Sequence, residues 1–181
     1  MTDNIKIGIT GLPGAGKTYV LQKVIEMLEE GGLTIGGMIN DPIMEGRHKT
    51  GCSVRDLVTG DSEVFASTDI ESRTVVGKMG VDIEALEKIG VAAIKRACEE
   101  CDIVAIDEVG RLEVECPAFI EAVKEALELG KPMIITIHKK SRNPLLQDIR
   151  RRDDMRILEV TPTNRNLLPY KIIRLMNGEQ D

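Results

Sequence analysis

Eight residues, Gly11-Leu12-Pro13-Gly14-Ala15-Gly16-Lys17-Thr18, join the apolar run Ile5 to Thr10 to an amphipathic stretch that ends at Gly31-Gly32. That junction prescribes strand, tight loop and helix in succession. Its glycines allow a bend tight enough for consecutive backbone N–H groups to face one anion, and the helix that follows adds its positive N-terminal end. The spacing is the complete P-loop pattern, in the context that the pattern requires. Lys17 is placed to reach the β- and γ-phosphates of a nucleoside triphosphate, and the Thr18 hydroxyl to enter the octahedral shell of Mg²⁺. Gly11 to Thr18, with Tyr19 beside them in the first helical turn, are the expected nucleotide-binding residues.

The rest of the chain repeats the strand-and-helix alternation. Short β-branched runs at Ile5 to Thr10, Leu33 to Ile39, Ile103 to Asp107, Met133 to His138 and Arg156 to Val160 predict parallel strands buried on both faces. Helices are predicted at Thr18 to Glu30, Ile83 to Glu99 with a weak point at Gly90, Pro117 to Gly130, a short one opened by Asn143-Pro144, and Leu167 to Met176. The fold class is α/β, a three-layer arrangement around a mostly parallel sheet. Gly51 to Val58 and Glu63 to Ala66 flank Thr59-Gly60-Asp61 and predict an antiparallel hairpin inserted at about 51–66. Thr68 to Gly80 lacks periodicity and is expected to be a surface loop. With 181 residues, one domain is expected, ending in a short flexible tail at 177–181.

Charge and cysteine usage narrow the partners. A formal net charge of -6 argues against nucleic acid, because a phosphate backbone is bound by a net basic face. The basic residues Lys139, Lys140, Arg142 and Arg150 to Arg152 are expected on an exposed helix face of mixed charge. No stretch reads as a membrane span or signal peptide, and the four cysteines, Cys52, Cys98, Cys101 and Cys116, are expected as reduced thiols in a cytoplasmic protein.

Ile103 to Ile106 is an apolar strand that ends in Asp107-Glu108. In P-loop chemistry the first carboxylate completes the Mg²⁺ shell, which makes Asp107 the second metal residue with Thr18. Glu108, reaching out from the carboxyl end of the strand, is placed to hold and deprotonate the water that attacks the γ-phosphate. His138 ends the next strand and is expected to line the same crevice. Arg111, Arg142 and Arg165 are the candidates for offsetting charge in the transition state.

Together with Asp107-Glu108-Val109-Gly110-Arg111-Leu112-Glu113 and Thr161-Pro162-Thr163-Asn164-Arg165-Asn166, these segments give the chain its likeness to a known group. It resembles the small nucleoside-triphosphatase family of thermophilic prokaryotes and of the human cancer-related NTPase. The resemblance implies a RecA-like P-loop fold, with an extra strand between the P-loop strand and the Asp107 strand. It also implies broad hydrolysis of nucleoside triphosphates to diphosphate and phosphate. ATP, GTP, CTP and UTP, taken up with Mg²⁺, are the expected substrates, and the chain is expected as a monomer or weak oligomer. The same resemblance supports Glu108 as the water-activating carboxylate and puts Asn164 and Arg165 close to the nucleotide; with Lys17, Arg111 and His138 from the reading above, Glu108 and Arg165 make up the expected catalytic residues. The chain departs from the family where Pro42 and Met44 replace a usual Glu and Arg, and where Met38, Cys52 and Met79 fall on aromatic positions. Two other functions use the same loop: a nucleotide or nucleoside kinase, and a binding module switched by nucleotide.

Overall fold

The computed structural model describes residues 4–180. Among the described residues nine strands, numbered in chain order from β1 (Lys6–Gly11) to β9 (Met155–Glu159), form one sheet in the order β5-β6-β4-β3-β2-β7-β8-β1-β9. Its parallel block consists of β2 (Ile35–Glu45), β7 (Ile103–Val109), β8 (Met133–His138), β1 (Lys6–Gly11) and β9 (Met155–Glu159). These are the five strands that the apolar runs predict, and β7 and β8 are buried at nearly every position. Strand β8 lies between β1 and β7, which is the extra strand expected of the RecA-like arrangement.

Helices cover both faces, as continuous apolar strands require. On one face α1 (Lys17–Glu30) and α6 (Leu168–Met176) turn Leu21, Val24 and Ile172 toward Ile7, Ile9 and Ile39. On the other, α3 (Ala92–Glu100), α4 (Pro117–Glu128) and α5 (Pro144–Arg151) bring Ile94, Phe119, Val123 and Leu146 against Met38, Ile106 and Ile135. Each fully buried Ile, Leu or Phe contributes about 1.5–3 kcal/mol relative to its exposed state. Helix α5 starts where its sequence says it should, because Asn143 Oδ1 accepts from Leu145 N at 3.0 Å ahead of Pro144. The weak point at Gly90 falls in a π-helical turn, Leu86–Val91, between α2 (Ile83–Ala85) and α3. A Cβ on Gly90 would come within 3.0 Å of Met38 Sδ and 3.1 Å of Val54, so the missing side chain lets this turn lie close on the sheet.

The antiparallel part is larger than the expected hairpin. Strand β2 continues past Ile39, the last residue paired with β7, and folds back on β3 (His48–Asp56) through Gly46-Arg47. Strand β4 (Ser62–Ser67) completes the expected hairpin with β3. Pro42 obscures the extension in the sequence. It is tolerated because this half of β2 has no neighbour on the β7 side, so the missing N–H breaks no ladder there. Thr68 to Gly80 is not wholly a loop either: β5 (Val75–Val76) and β6 (Met79–Val81) add two strands at the sheet edge. Strands of two and three residues are too short to show alternation.

At the C-terminus Asn177 to Gln180 are exposed, but Arg174 Nε donates to Glu179 Oε2 at 2.7 Å and holds the tail to α6. Asp181 lies outside the described residues. Among the described residues no helix is long and apolar enough to cross a membrane, and the four cysteines are free thiols.

Candidate functional site

The carboxyl ends of four adjacent parallel strands, β2, β7, β8 and β1, deliver Asn40, Asp107-Glu108, His138 and Gly11 to one edge of the sheet. Gly11 pairs in register with His138, and Ile39 with Asp107. Between Ile106 and Val109 the β7 register shifts against β8, so the two carboxylates sit at an irregular strand end.

Beyond Gly11 the loop closes with Ala15 N donating to Leu12 O at 3.0 Å. Gly16 then opens α1 with φ 114° and provides no side-chain cap. The first-turn N–H groups of α1 are thus left for an anion. Arg165, on the segment after β9, lies over this turn: a Cβ on Gly16 would stand 3.2 Å from Arg165 Cδ.

One hydrogen bond ties the loop to the acidic strand end, Thr18 Oγ1 to Asp107 Oδ2 at 2.8 Å. The other carboxylate oxygen accepts from Thr136 Oγ1 at 2.6 Å, within the buried body of β8. Burial pushes the Asp107 carboxyl up to about 6, against the pull of both hydroxyls. A hydroxyl and a carboxylate held this close, with no positive charge on either, form a hard oxygen donor set suited to Mg²⁺.

Glu108 extends the other way and forms a salt bridge with Lys17, Oε2 to Nζ at 3.3 Å. Its carboxylate folds back over Gly110, where a Cβ would collide with Oε1 at 2.5 Å. Behind it sits Glu113, fully buried, with Oε1 accepting from Asn40 Nδ2 at 2.7 Å and Oε2 without a partner. Burial, and then the charge of Glu108, push the Glu113 carboxyl up to about 8. The nearby carboxylate thus disfavours a second charge at Glu113.

Burial lowers the His138 pKa, against the pull of Glu108 and with Lys17, Arg111 and Arg150 adding to the effect, which favours the neutral ring. Its Nδ1 accepts from Lys140 N at 3.2 Å, which leaves the ring proton on Nε2. Arg150 donates to the carbonyls of His138 at 2.6 Å and Ser141 at 2.7 Å, so this arginine braces the loop after β8. Arg111 and Arg142 line a cleft beside Gly11, Leu12 and His138. Arg111 also borders a larger chamber with Lys17, Thr18, Asp107 and Glu108.

The structure therefore brings Gly11 to Thr18, Asp107, Glu108, Arg111, His138 and Arg165 together. Tyr19 is exposed on the first turn of α1. Asn164 turns its amide into its own loop, with Oδ1 accepting from Thr161 N at 2.8 Å and Nδ2 donating to Glu159 O at 2.9 Å. Asn40, Gly110, Glu113, Thr136 and Arg150 join the site although none of them is a candidate site residue in the sequence; Gly110 and Glu113 stand there only within the Asp107 to Glu113 motif, and Arg150 only among the basic residues. For Glu113, a glutamate five residues beyond an acidic strand end is the only local hint.

The model of a family described as NTPase matches residues 6–173. The nucleoside-triphosphatase THEP1 of Thermoplasma volcanium is 39% identical, over 97% of this chain and 99% of that protein. Two solved structures share the fold. The crystal structure of THEP1 from Aquifex aeolicus has a TM-score of 0.83 at 28% identity, covering 94% of this chain and 98% of the other. The solution structure of a human cancer-related nucleoside triphosphatase has a TM-score of 0.81 at 27% identity, covering 98% of this chain and 100% of the other. With a family match across most of its length and a relative this similar end to end, the chain belongs to the NTPase family.

Proposed function

We propose that this protein is a Mg²⁺-dependent nucleoside triphosphatase that releases the γ-phosphate of ATP, GTP, CTP and UTP to water. The observation that carries the proposal is the Thr18–Asp107 hydrogen bond, 2.8 Å long, which joins the phosphate loop to the acidic strand end beside Lys17 and Glu108. The loop amides and Lys17 hold the β- and γ-phosphates. Thr18 and Asp107 are the residues that would hold Mg²⁺, whose chemistry there is to offset the charge on the β–γ oxygens.

Glu108 takes the proton of the attacking water as its oxygen bonds to the γ-phosphorus. The β–γ bridging oxygen leaves with the electron pair on the diphosphate. His138 offers Nε2–H as a neutral donor, and Arg111 adds positive charge at the mouth of the chamber. Arg165, packed over Gly16, holds the nucleotide on the side away from Glu108. Asn164 acts one step back, shaping the loop that presents Arg165. Broad base tolerance is supported by the scarcity of rings, two Phe, two Tyr and no Trp in 181 residues, which leaves little for a base to stack on. The single continuous sheet supports one domain, and the free thiols fit a cytoplasmic setting.

The test is phosphate release from the four nucleotides with Mg²⁺ titrated and no acceptor present. Each is expected to be hydrolysed by the wild type, and Lys17→Ala is expected to abolish turnover. Absence of release from all four, or an unaffected Lys17→Ala variant, would overturn the reading.

A further inference from the structure

The chamber in front of Glu108 reaches from Pro13, Gly14 and Lys17 of the phosphate loop to Arg47 and Lys78, well past the place proposed for the γ-phosphate. It encloses about 900 Å³, at the upper end of small-molecule sites of about 300–1,000 Å³. It extends from the γ-phosphate end: Lys17, Thr18, Asp107 and Glu108 border it, and Arg165, which covers Gly16, does not. The antiparallel extension supplies its far wall.

Two hairpin tips in that wall are built alike. Glu45 pairs with His48 around Gly46-Arg47, and Val76 pairs with Met79 around Gly77-Lys78. The glycines have φ of 60° and 62°, and nothing lies within 4 Å of where a Cβ would be. A glycine with positive φ at the first position of a two-residue hairpin loop fits the twist of the strands, and in both tips the second position is a cation. Both cations, and Lys49 on β3, border the chamber.

The chain is acidic, and its other cations are often taken: Arg55, Arg96, Arg152, Lys88 and Lys139 each form a salt bridge. Among the described residues none does so with Arg47, Lys49 or Lys78. Met44, Val76 and Met79 add apolar side chains to the same lining. Two hairpin-tip cations without an ion pair, with Lys49 beside Cys52 behind them, and apolar side chains in the same lining suit a molecule with a compact anionic head and a less polar body.

We infer that the chamber is a second binding site, for a small hydroxyl-bearing phosphate monoester whose hydroxyl takes the place of the attacking water. Arg47 and Lys78 grip its phosphate, the guanidinium as a fork and the ammonium as a point charge. Its hydroxyl faces Glu108, which accepts the proton. The hydroxyl oxygen forms a bond to the γ-phosphorus, the bond from that phosphorus to the β–γ bridging oxygen breaks, and the electron pair leaves with the nucleoside diphosphate. This acceptor step rests on the roles proposed above for Lys17 and Glu108.

The test uses the full chain with Mg²⁺ and a saturating non-hydrolysable ATP analogue, with ribose 5-phosphate, glycerol 3-phosphate and AMP as probes at millimolar concentration. Methyl-labelled methionine NMR is expected to show at least one probe shifting Met44 and Met79 while leaving Met176 unmoved. In Arg47→Ala/Lys78→Ala, probe affinity should fall on the order of 10-fold or more, with phosphate release from ATP alone unchanged. With ATP in place of the analogue, ³¹P NMR should show a new phosphate ester on the bound probe. No methionine shift from any probe, equal affinity in the double variant, or binding without a new ester overturns the inference. Loss of hydrolysis in the double variant without a probe also overturns it, because the two cations would then serve the nucleotide. Absence of hydrolysis by the wild type strikes instead at the preceding reading, and the analogue measurement remains readable on its own.

Discussion

Lys17 Nζ lies 3.3 Å from Glu108 Oε2, with both side chains largely withdrawn from solvent. The ammonium proposed to grip phosphate and the carboxylate proposed to activate water thus neutralise each other before any nucleotide arrives. Entry of a triphosphate has to take Lys17 away, which frees Glu108 to face the γ-phosphate. Glu108→Gln removes the competing charge and the base at once. Affinity for a non-hydrolysable Mg²⁺-nucleotide analogue should therefore rise several-fold, while turnover falls by a factor on the order of 10² or more. Calorimetry and phosphate release measure the two effects separately. Turnover at the wild-type rate would remove Glu108 from the chemistry.

Thr136 acts on the metal site from inside the sheet. It is fully buried and donates to Asp107 Oδ1 at 2.6 Å. Thr136→Val keeps the shape and loses the donor, so Asp107 becomes free to rotate and one buried oxygen goes unsatisfied. Partners of this kind are worth about 10–100-fold in metal affinity. Half-saturating Mg²⁺ for turnover should rise by that order, with the rate recovering at high Mg²⁺. An unchanged Mg²⁺ titration would mean that Thr18 alone fixes the carboxylate.

The part of the site that is legible in the sequence is its local part. Gly11 to Thr18 is contiguous, and its chemistry follows from spacing. Asp107-Glu108 is recognisable because an apolar strand leads into it. The partners that hold these residues are not legible in that way: Asn40 reaches Glu113 across 73 positions and Thr136 reaches Asp107 across 29. Such pairings exist only once β2, β7 and β8 lie side by side. Strands of the parallel block announce themselves by continuous burial, whereas β5 and β6 are joined to each other by two register pairs and a glycine turn, and β6 to β4 by two more. Asn164 carries a polar side chain near the nucleotide loop, and only the structure reveals that both ends of its amide are already engaged.

Gly110 tests how finely Glu108 must be placed. A methyl group at this position would meet Oε1 at 2.5 Å, and Cδ and Cγ at 2.9 Å, all within one side chain that has room to swing into the chamber. Gly110→Ala should fold normally but displace the carboxylate by about 1 Å, which costs up to about 10²-fold in rate when a reacting group is involved. Phosphate release should drop with little change in the affinity of an ATP analogue. A full rate with alanine present would show that Glu108 functions in another rotamer.

Glu113 gives the nucleotide-free protein an uncommon pH dependence. Burial and the nearby Glu108 charge keep it protonated up to about 8 in the folded state, against an ordinary value of 4.5. Folded protein thus binds more protons than unfolded protein between those values, and stability falls as pH rises through that window. The contribution is fully present below the unfolded value, is lost as pH climbs to about 8, and amounts to a few kcal/mol. Asp107, raised to about 6, adds a loss of the same sign over a narrower and more acidic range. Glu113→Gln keeps an acceptor for Asn40 without the charge, so urea midpoints measured from about pH 5 to about pH 8 should decline much less than in the wild type. If the variant lost stability as steeply as the wild type, the proton would have to reside elsewhere, and the buried Asn40–Glu113 pair would be carrying its charge at neutral pH.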